Sequence, residues 1–494
     1  MSSVGEPRTG AVNPGLDLDR LCLAVGALLL AVIPIRLLSL GYVPVDDALR
    51  HAGKALTVRS WAEILIIKPE ITMDSHPGWH FLLRLIHLAT GANAMDLVFL
   101  SVVLLFWFVS LVGLVSGVRP VAWMAGLLFF ATLDPDVVLR WIMGRPFLLS
   151  TAFLLAIIRA WDQGPILTRG RAYPGWILMF ALLAWIHPSF YLFVLPVFAL
   201  AVSRRLREAG ALGLVCFAGS IGAAGLSGHP IDFYRQAILH PLLSLGSGAT
   251  SLVGEFQPAD GSPLLVLAAF VLLSSMGGPG GSSLAGFRSD PTLILAVMGW
   301  SLAFVNKRFW VDWGGPALLG LMTRELSTRV EMVLPTPRLR LAATTALATV
   351  VGLSICSDRA GRWSRVDSFF APLAQPSNAA LLPDKGGVLY SDSMYVFYSV
   401  FVRQPDAPFQ YVLGFEAGWM KSDDEAVYRK ALRVGNAALR PWADKLRPQD
   451  RLILTGNGAG DFPELEWTRA TTTLWSGRTP RTPGTASAND LVDR

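Results

Sequence analysis

The feature that most constrains this chain is the recurrence of apolar segments of helix-spanning length. They fall near residues 21–40, 96–116, 120–133, 137–158, 174–186, 189–202, 211–227, 263–276, 291–305, 314–323 and 341–356. A bilayer interior offers no water to bond backbone amides, so a chain crossing it repeatedly in such segments must do so as helices. The sequence therefore predicts a polytopic α-helical membrane protein of about eleven transmembrane helices. Several of the eleven are short for a hydrocarbon core of ~30 Å and require tilt or burial in protein. Composition agrees, with 52% hydrophobic and 16% charged residues, where soluble domains carry about 25% charge.

Charge placement tests the list. Arg119, Arg159, Arg169, Arg171, Arg204, Arg205, Arg207, Arg288, Arg324, Arg329, Arg338 and Arg340 all follow even-numbered runs. They share one side of the membrane if residues 1–20 form a cytoplasmic tail, as the excess of Lys and Arg in cytoplasmic loops requires. The run from Leu21 to Leu40 is longer than a signal-peptide core and no small-residue cleavage site closes it, so it reads as a retained span. The net charge of +6 is accounted for by these topogenic loops, and no nucleic-acid partner is expected. Sixteen Trp suit an extensive bilayer interface. Cys22, Cys216 and Cys356 are widely separated and give neither a disulfide framework nor zinc-ligand spacing.

Between the first two runs lies a long outer loop, 41–95, inside a transmembrane region spanning 21–357. It opens with "GYVPVDDALRHAGKAL", in which residues 45–56 read as a helix carrying Asp47, His51 and Lys54 on one face and Asp46 paired with Arg50 beside it. "SHPGWHFLLRLIHLAT" reads as a second helix with His76, His80 and Arg84 along one side. Beyond Ser357 the composition changes, and 358–478 reads as a small extracytoplasmic α/β domain. In it "GVLYS", "YVFYSVFV" and "DRLILTG" look strand-like and "DDEAVYRKALRVGNAALRPWADKL" helical, before a disordered tail at 479–494. "GGPGGSS" at 277–283 lacks the Lys and flanking strand of a phosphate loop and reads as a flexible connector.

Two adjacent carboxylates just outside a span can be a helix start, with Asp46 capping and Asp47 near the positive end. They can also be an acid/base site at headgroup depth, where mutual repulsion would raise the pKa of one. Arg140 and Arg145 in the fourth run, and Lys307 and Arg308 at the end of the ninth, can hold a phosphate or simply snorkel to the interface. His187 and Pro188 interrupt what would otherwise be one long apolar run, and topology sets them at the outer tip of a short hairpin. His76 and His80 have the i,i+4 spacing of a metal pair, without a third ligand to complete it.

In order, the span, the acidic pair, the amphipathic helices and "HPGWHFLLRL" resemble the GT-C superfamily of integral-membrane glycosyltransferases, whose first outer loop carries an Asp-Asp or Asp-Glu pair ahead of a Pro-containing aromatic helix. "DPDVVLRWIMGRPFLLSTAFLLA" and "KRFWVDWGGPALLG" are similar to later segments of that family, and residues 20–205 carry most of the likeness. The double Pro of the family's helix is absent here. The resemblance implies an inverting enzyme of the mannosyltransferase or arabinosyltransferase kind, in the plasma (inner) membrane, serving cell-envelope polysaccharide biosynthesis. A polyprenyl-phosphate-linked sugar would be the donor and a glycan, lipid or protein hydroxyl the acceptor. Asp46 or Asp47 would be the general base; Arg145, Arg308, Arg140 and Lys307 would hold the donor phosphate; and His51, His76, His80 and His187 would contact substrate. Some members use a divalent cation, Mg or Mn, and others none; the sequence does not choose. The rival readings are a lipid or glycan transporter or flippase, whose polar groups should sit nearer mid-depth, and a noncatalytic scaffold of the same architecture.

Overall fold

A computed structural model describes residues 14–44, 46–164, 173–245, 289–359, 376–456 and 458–480, with isolated positions between them. Residues 1–13, the connector at 277–283, nearly all of the 263–276 run and the tail from 481 lie outside the described residues.

The described residues are 69% helical, with a small C-terminal sheet. Four described helices are long and apolar enough to cross a membrane: Leu18–Ser39, Ala94–Val115, Leu206–Leu226 and Pro337–Cys356. Their outward faces carry Leu28, Ile35, Leu214, Phe217, Ile221, Val350 and Leu353, all exposed, as an acyl-chain environment requires. A fifth crossing results only if Pro120–Leu133 and Pro135–Trp141 are one span, and these two helices meet at 110°. The expected count of eleven is thus not reached by length and composition among the described residues. The reason is local chemistry. Pro135 cannot continue the preceding helix, and the buried Asp134 carboxylate accepts a hydrogen bond from Trp310 Nε1 at the corner. The 137–158 run likewise divides, into Pro135–Trp141 and Phe147–Asp162. His187 and Pro188 end the Tyr173–Ile186 helix, after which Ser189–Phe193 is a 3-10 turn leading into Val194–Val202.

Ten of the sixteen Trp lie inside the fold. Trp61, Trp79, Trp123, Trp141, Trp161, Trp310, Trp313, Trp363, Trp419 and Trp442 are buried.

The outer loop folds as Asp47–Leu56, a single turn at Trp61–Ile64, and Pro77–Thr90. The C-terminal sheet has the order β2-β1-β3-β5-β4, with β1 at Val388–Ser391, β2 at Gln410–Tyr411, β3 at Arg451–Thr455, β4 at Glu466–Thr471 and β5 at Leu474–Arg478. β1 runs parallel to β2 and β3, and β5 runs antiparallel to β3 and β4. "GVLYS" and "DRLILTG" are strands as read. "YVFYSVFV" is not: Met394–Arg403 is a helix, capped by the Ser393 side chain. Aromatic and β-branched residues favour strands only through the pleated, half-buried surface they fit; here every residue from Val396 to Val402 is buried on a helix packed against Asp47–Leu56 and Ala94–Val115.

The loop and the domain interlock. Leu65 pairs with Tyr411 and Ile67 with Met420, adding loop backbone beside the β2 edge. Lys68 Nζ is 2.7 Å from Glu425 Oε2. The Asp47–Leu56 helix lies against Met394–Arg403 so closely that a Cβ on Gly53 would sit 2.9 Å from Phe401 Cδ1 and 3.1 Å from the Phe401 carbonyl oxygen.

Candidate functional site

The loop, the helix corners and the C-terminal domain enclose a cavity of about 230 Å³. Its polar wall includes Asp47, Arg50, His51, Asp74, His76, Arg145, His187, Arg308, Asp312 and Glu416. Its apolar wall is aromatic, with Phe147, Tyr191, Phe233, Phe309, Trp313 and Trp419. Flat rings beside a few charged groups suit a polar ligand with a carbon face.

Of the two opening carboxylates, Asp47 lines the cavity and Asp46 does not. Asp46 Oδ1 accepts from the Ala48 amide at 3.5 Å, while Oδ2 is 2.8 Å from Arg145 Nη2. Asp47 Oδ1 accepts from Arg50 Nε at 2.6 Å, and Oδ2 is 3.8 Å from Arg145 Nε. The expected Asp46–Arg50 pair is therefore replaced by Asp47–Arg50 at i,i+3, because Asp46 turns back as the cap. Burial works against ionisation of Asp47, but the Arg50 and Arg145 guanidiniums outweigh it and hold this carboxyl well below the usual range. For Asp47, then, the upward shift that repulsion within the pair could cause is not seen.

Arg308 and Arg145 both line the cavity; Lys307 and Arg140 do not. Lys307 donates its backbone amide to the Gln257 carbonyl at 2.9 Å. Arg140 is buried, stacked 4.1 Å above the Phe147 ring and joined to Asp312 by bonds of 3.0 and 3.3 Å. Arg308 Nε lies 3.4 Å from the same carboxylate. Asp312 is aimed inward by a π-helical turn, Trp310–Gly314, a local widening common at functional sites. The turn fits because Gly299 and Gly314 pass so closely that a Cβ on Gly299 would be 2.5 Å from the Gly314 Cα.

The histidines converge from three segments. His51 and His76 rings lie 4.7 Å apart, His76 and His80 6.3 Å, and His76 and His187 5.4 Å. His187 Nδ1 is 3.4 Å from Ser150 Oγ. His51 Nδ1 is 2.8 Å from His80 Nε2, and His80 Nδ1 bonds to Asp74 Oδ2. Asp74 Oδ1 accepts from the His76 amide at 3.0 Å and from Trp61 Nε1 at 3.3 Å. Burial pushes the His51, His76 and His80 pKa values down, to below that of free imidazole, with Arg50 adding to the effect. For Asp74, burial is outweighed by His80, so this carboxyl is held low. His51, His76 and His187 line the cavity, and His80 stands behind His51.

Asp46 and Asp47 face guanidiniums, and both ring nitrogens of His80 are engaged within the chain, so the i,i+4 pair with His76 is not a chelate. Among the described residues no group of three or more His, Cys, Asp or Glu side chains is placed to hold a metal.

Sequence reasoning singled out neither Asp74, Asp312, Glu416 nor Trp419. Asp312 was findable as a carboxylate inside an apolar aromatic run, a costly placement unless used. Asp74 sits two residues before His76 at a turn, where it reads as an ordinary local cap. Glu416 and Trp419 reach the cavity only through the docking of the C-terminal domain; a shared outer side leads one to expect 358–478 to approach the 41–95 loop, as it does, but not which residues it delivers. The chain matches no protein-family model and no curated protein.

Proposed function

We propose that the protein is a membrane glycosyltransferase that moves a sugar from a polyprenyl phosphate to an acceptor hydroxyl on the extracytoplasmic face of the plasma membrane, with inversion. The observation that carries the reading is the convergence, in one cavity beside apolar helices, of Arg145 and Arg308 with Asp47, while Asp46, outside the lining, bonds Arg145. Guanidiniums present paired donors that match phosphate oxygens, and they stabilise the charge left on the departing phosphate. Asp46 and Asp312 hold Arg145 and Arg308 in place ahead of the ligand, which lowers the ordering cost of binding. The aromatic wall gives the sugar ring a stacking surface, and Asp47 accepts a hydrogen bond that orients the attacking hydroxyl. Trp419 and Glu416 bring the C-terminal domain to the acceptor side. Inversion follows from a single displacement, with the acceptor oxygen entering opposite the leaving phosphate.

The test uses the purified chain in lipid nanodiscs with polyprenyl phosphates carrying radiolabelled hexoses or pentoses. Transfer to supplied glycan acceptors, or slow hydrolysis with water as acceptor, is expected for at least one sugar. Arg145→Gln should weaken binding of unglycosylated polyprenyl phosphate by about tenfold or more, as loss of a charge-assisted hydrogen bond implies. Failure of every donor to react, with polyprenyl phosphate binding no better than a neutral polyprenol, would remove this reading in favour of transport or scaffolding.

A further inference from the structure

We propose that His51 is the catalytic proton acceptor of the cavity and that Asp74 acts on it through His80, the three forming a relay that ends in a bare Nε2. The proposal rests on the glycosyl-transfer reading and assigns within it the step that removes the hydroxyl proton.

The argument is one of hydrogen-bond direction. Asp74 Oδ2 is an acceptor, so the proton between it and His80 belongs to His80 Nδ1. A neutral His80 then offers only a lone pair at Nε2. The 2.8 Å contact to His51 Nδ1 requires a proton from one side, and it must come from His51. A neutral His51 protonated at Nδ1 has an unprotonated Nε2. That atom is buried and has no hydrogen-bond partner among the described residues, on a ring that is 1% exposed and lines the cavity. An unsatisfied buried acceptor costs about 1–3 kcal/mol, and a hydroxyl donor from the ligand would satisfy it. The tautomer is assigned from the network, as it must be for any imidazole.

Asp47 is poorly suited to the same task. Its two oxygens face Arg50 and Arg145, and a carboxylate stabilised in this way gives up little by staying ionised and gains little by taking a proton. The neutral imidazole next to it instead has a ring nitrogen, Nε2, with no hydrogen-bond partner among the described residues. Arg50 on the same helix, His76 and His80 on the Pro77–Thr90 side, and His187 at the helix break all surround His51. They keep it neutral until the phosphate of the donor adds negative charge to the cavity.

The step balances. The acceptor O–H bond breaks and its proton moves to His51 Nε2, while the oxygen forms the new bond to the anomeric carbon. The bond from that carbon to the phosphate oxygen breaks, and its electron pair leaves with the polyprenyl phosphate towards Arg145 and Arg308. The His51 Nδ1 proton can shift to His80 Nε2, so the positive charge comes to rest beside Asp74.

Two measurements test the relay. In the transfer or hydrolysis assay, His51→Gln should lower kcat by about 100-fold or more, the range for loss of a positioned acid or base, with little change in donor KM. Asp74→Asn should lower kcat less and move the acid limb of the pH–kcat profile to lower pH, because it removes the charge that raises the basicity of the pair. Asp47→Asn should act mainly on acceptor KM. A folded His51→Gln protein turning over within about threefold of the parent would overturn the assignment, as would a 100-fold kcat loss confined to Asp47→Asn. The second measurement needs no turnover. ¹⁵N-histidine NMR of the full chain, with the His51 signal identified by its loss in His51→Gln, should show a proton on Nδ1 and a pyridine-type Nε2. A protonated Nε2 in the parent protein would defeat the relay even if glycosyl transfer is observed. The expected tautomer with no donor turned over would leave the relay standing as a hydroxyl-binding acceptor and the transfer reading lost.

Discussion

Arg145 and Arg324 have nearly the same company and opposite uses. Arg324 bridges Asp162 at 2.7 Å and also bonds Asp290, whose other oxygen caps the Pro291–Ala303 helix at the Thr292 amide, 2.8 Å away. The network around it is closed. Arg159 donates to the Ser116 and Gly117 carbonyls, and Arg119 pairs with Glu331. Among the described residues lining the cavity at that end, no buried side-chain polar atom lacks a partner. Arg145 also bridges two carboxylates, Asp46 and Asp47. Around it, however, Arg50 Nη1 and His51 Nε2 are buried without partners, and aromatic rings take the place of further bonding groups. A bridging arginine is therefore a staple or a ligand site according to whether its neighbours leave bonding capacity unused.

The sharpest way to break this comparison is to make the same change at both ends. Arg145→Gln should lower transfer by about 100-fold or more through lost phosphate stabilisation. Arg324→Gln should lower stability by about 2 kcal/mol, discounted from the cost of stranding a fully buried carboxylate because the arginine is partly exposed. Its activity per folded molecule should stay within about twofold. Equal activity losses in the two variants, normalised to folded protein by thermal melting in detergent, would erase the distinction.

Acidification sharpens it. Burial holds His51, His76 and His80 below the ordinary value of 6.5. Below that pH the unfolded chain takes up protons that the folded chain refuses. Stability contributed by the neutral rings is therefore present above about 6.5 and lost as pH falls, by up to about 1.4 kcal/mol per histidine per pH unit. No histidine lines the Arg324 cavity among the described residues. Hydrogen exchange at pH near 5.5 should thus open the Asp47–Leu56 and Pro77–Thr90 helices before Gly315–Val333. Simultaneous opening of both ends would contradict a locally titrating site.

The smallest effect comes from the docking contact. Gly53→Ala places a methyl against Phe401 and should cost about 1–3 kcal/mol as overpacking. The loss should be accompanied by reduced transfer, since Trp419 and Glu416 withdraw with the C-terminal domain. A stable variant with unchanged transfer would show that the domain does not shape the acceptor side.

Much of this was legible in the chain and some was not. Arg145, His187 and Arg308 could be marked from sequence because each is a polar group placed against an apolar background, where solvation makes it costly, and Asp46, Asp47, His51 and His76 by their place in the loop that follows the first span. Their pairings could not be, since Asp47–Arg50 against Asp46–Arg50 turns on which carboxylate caps the helix. "YVFYSVFV" failed as a strand because its hydrophobicity is the same in either form and only its neighbours decide. Asp74 was invisible because its importance lies in the direction of two hydrogen bonds to histidines.

By itself, then, the sequence determined an apolar helical chain suited to a bilayer, a polar loop after its first long helix, and a mixed C-terminal region. Those follow from solvation free energy, which is written residue by residue. Tertiary structure alone decided that the 120–141 segment bends by 110° instead of running straight, that Arg140 supports Asp312 while Arg308 faces the cavity, and that His51 ends a relay. Those outcomes depend on distances of a few ångströms between residues far apart in the chain, and on the hydrogen-bond direction that only such distances impose.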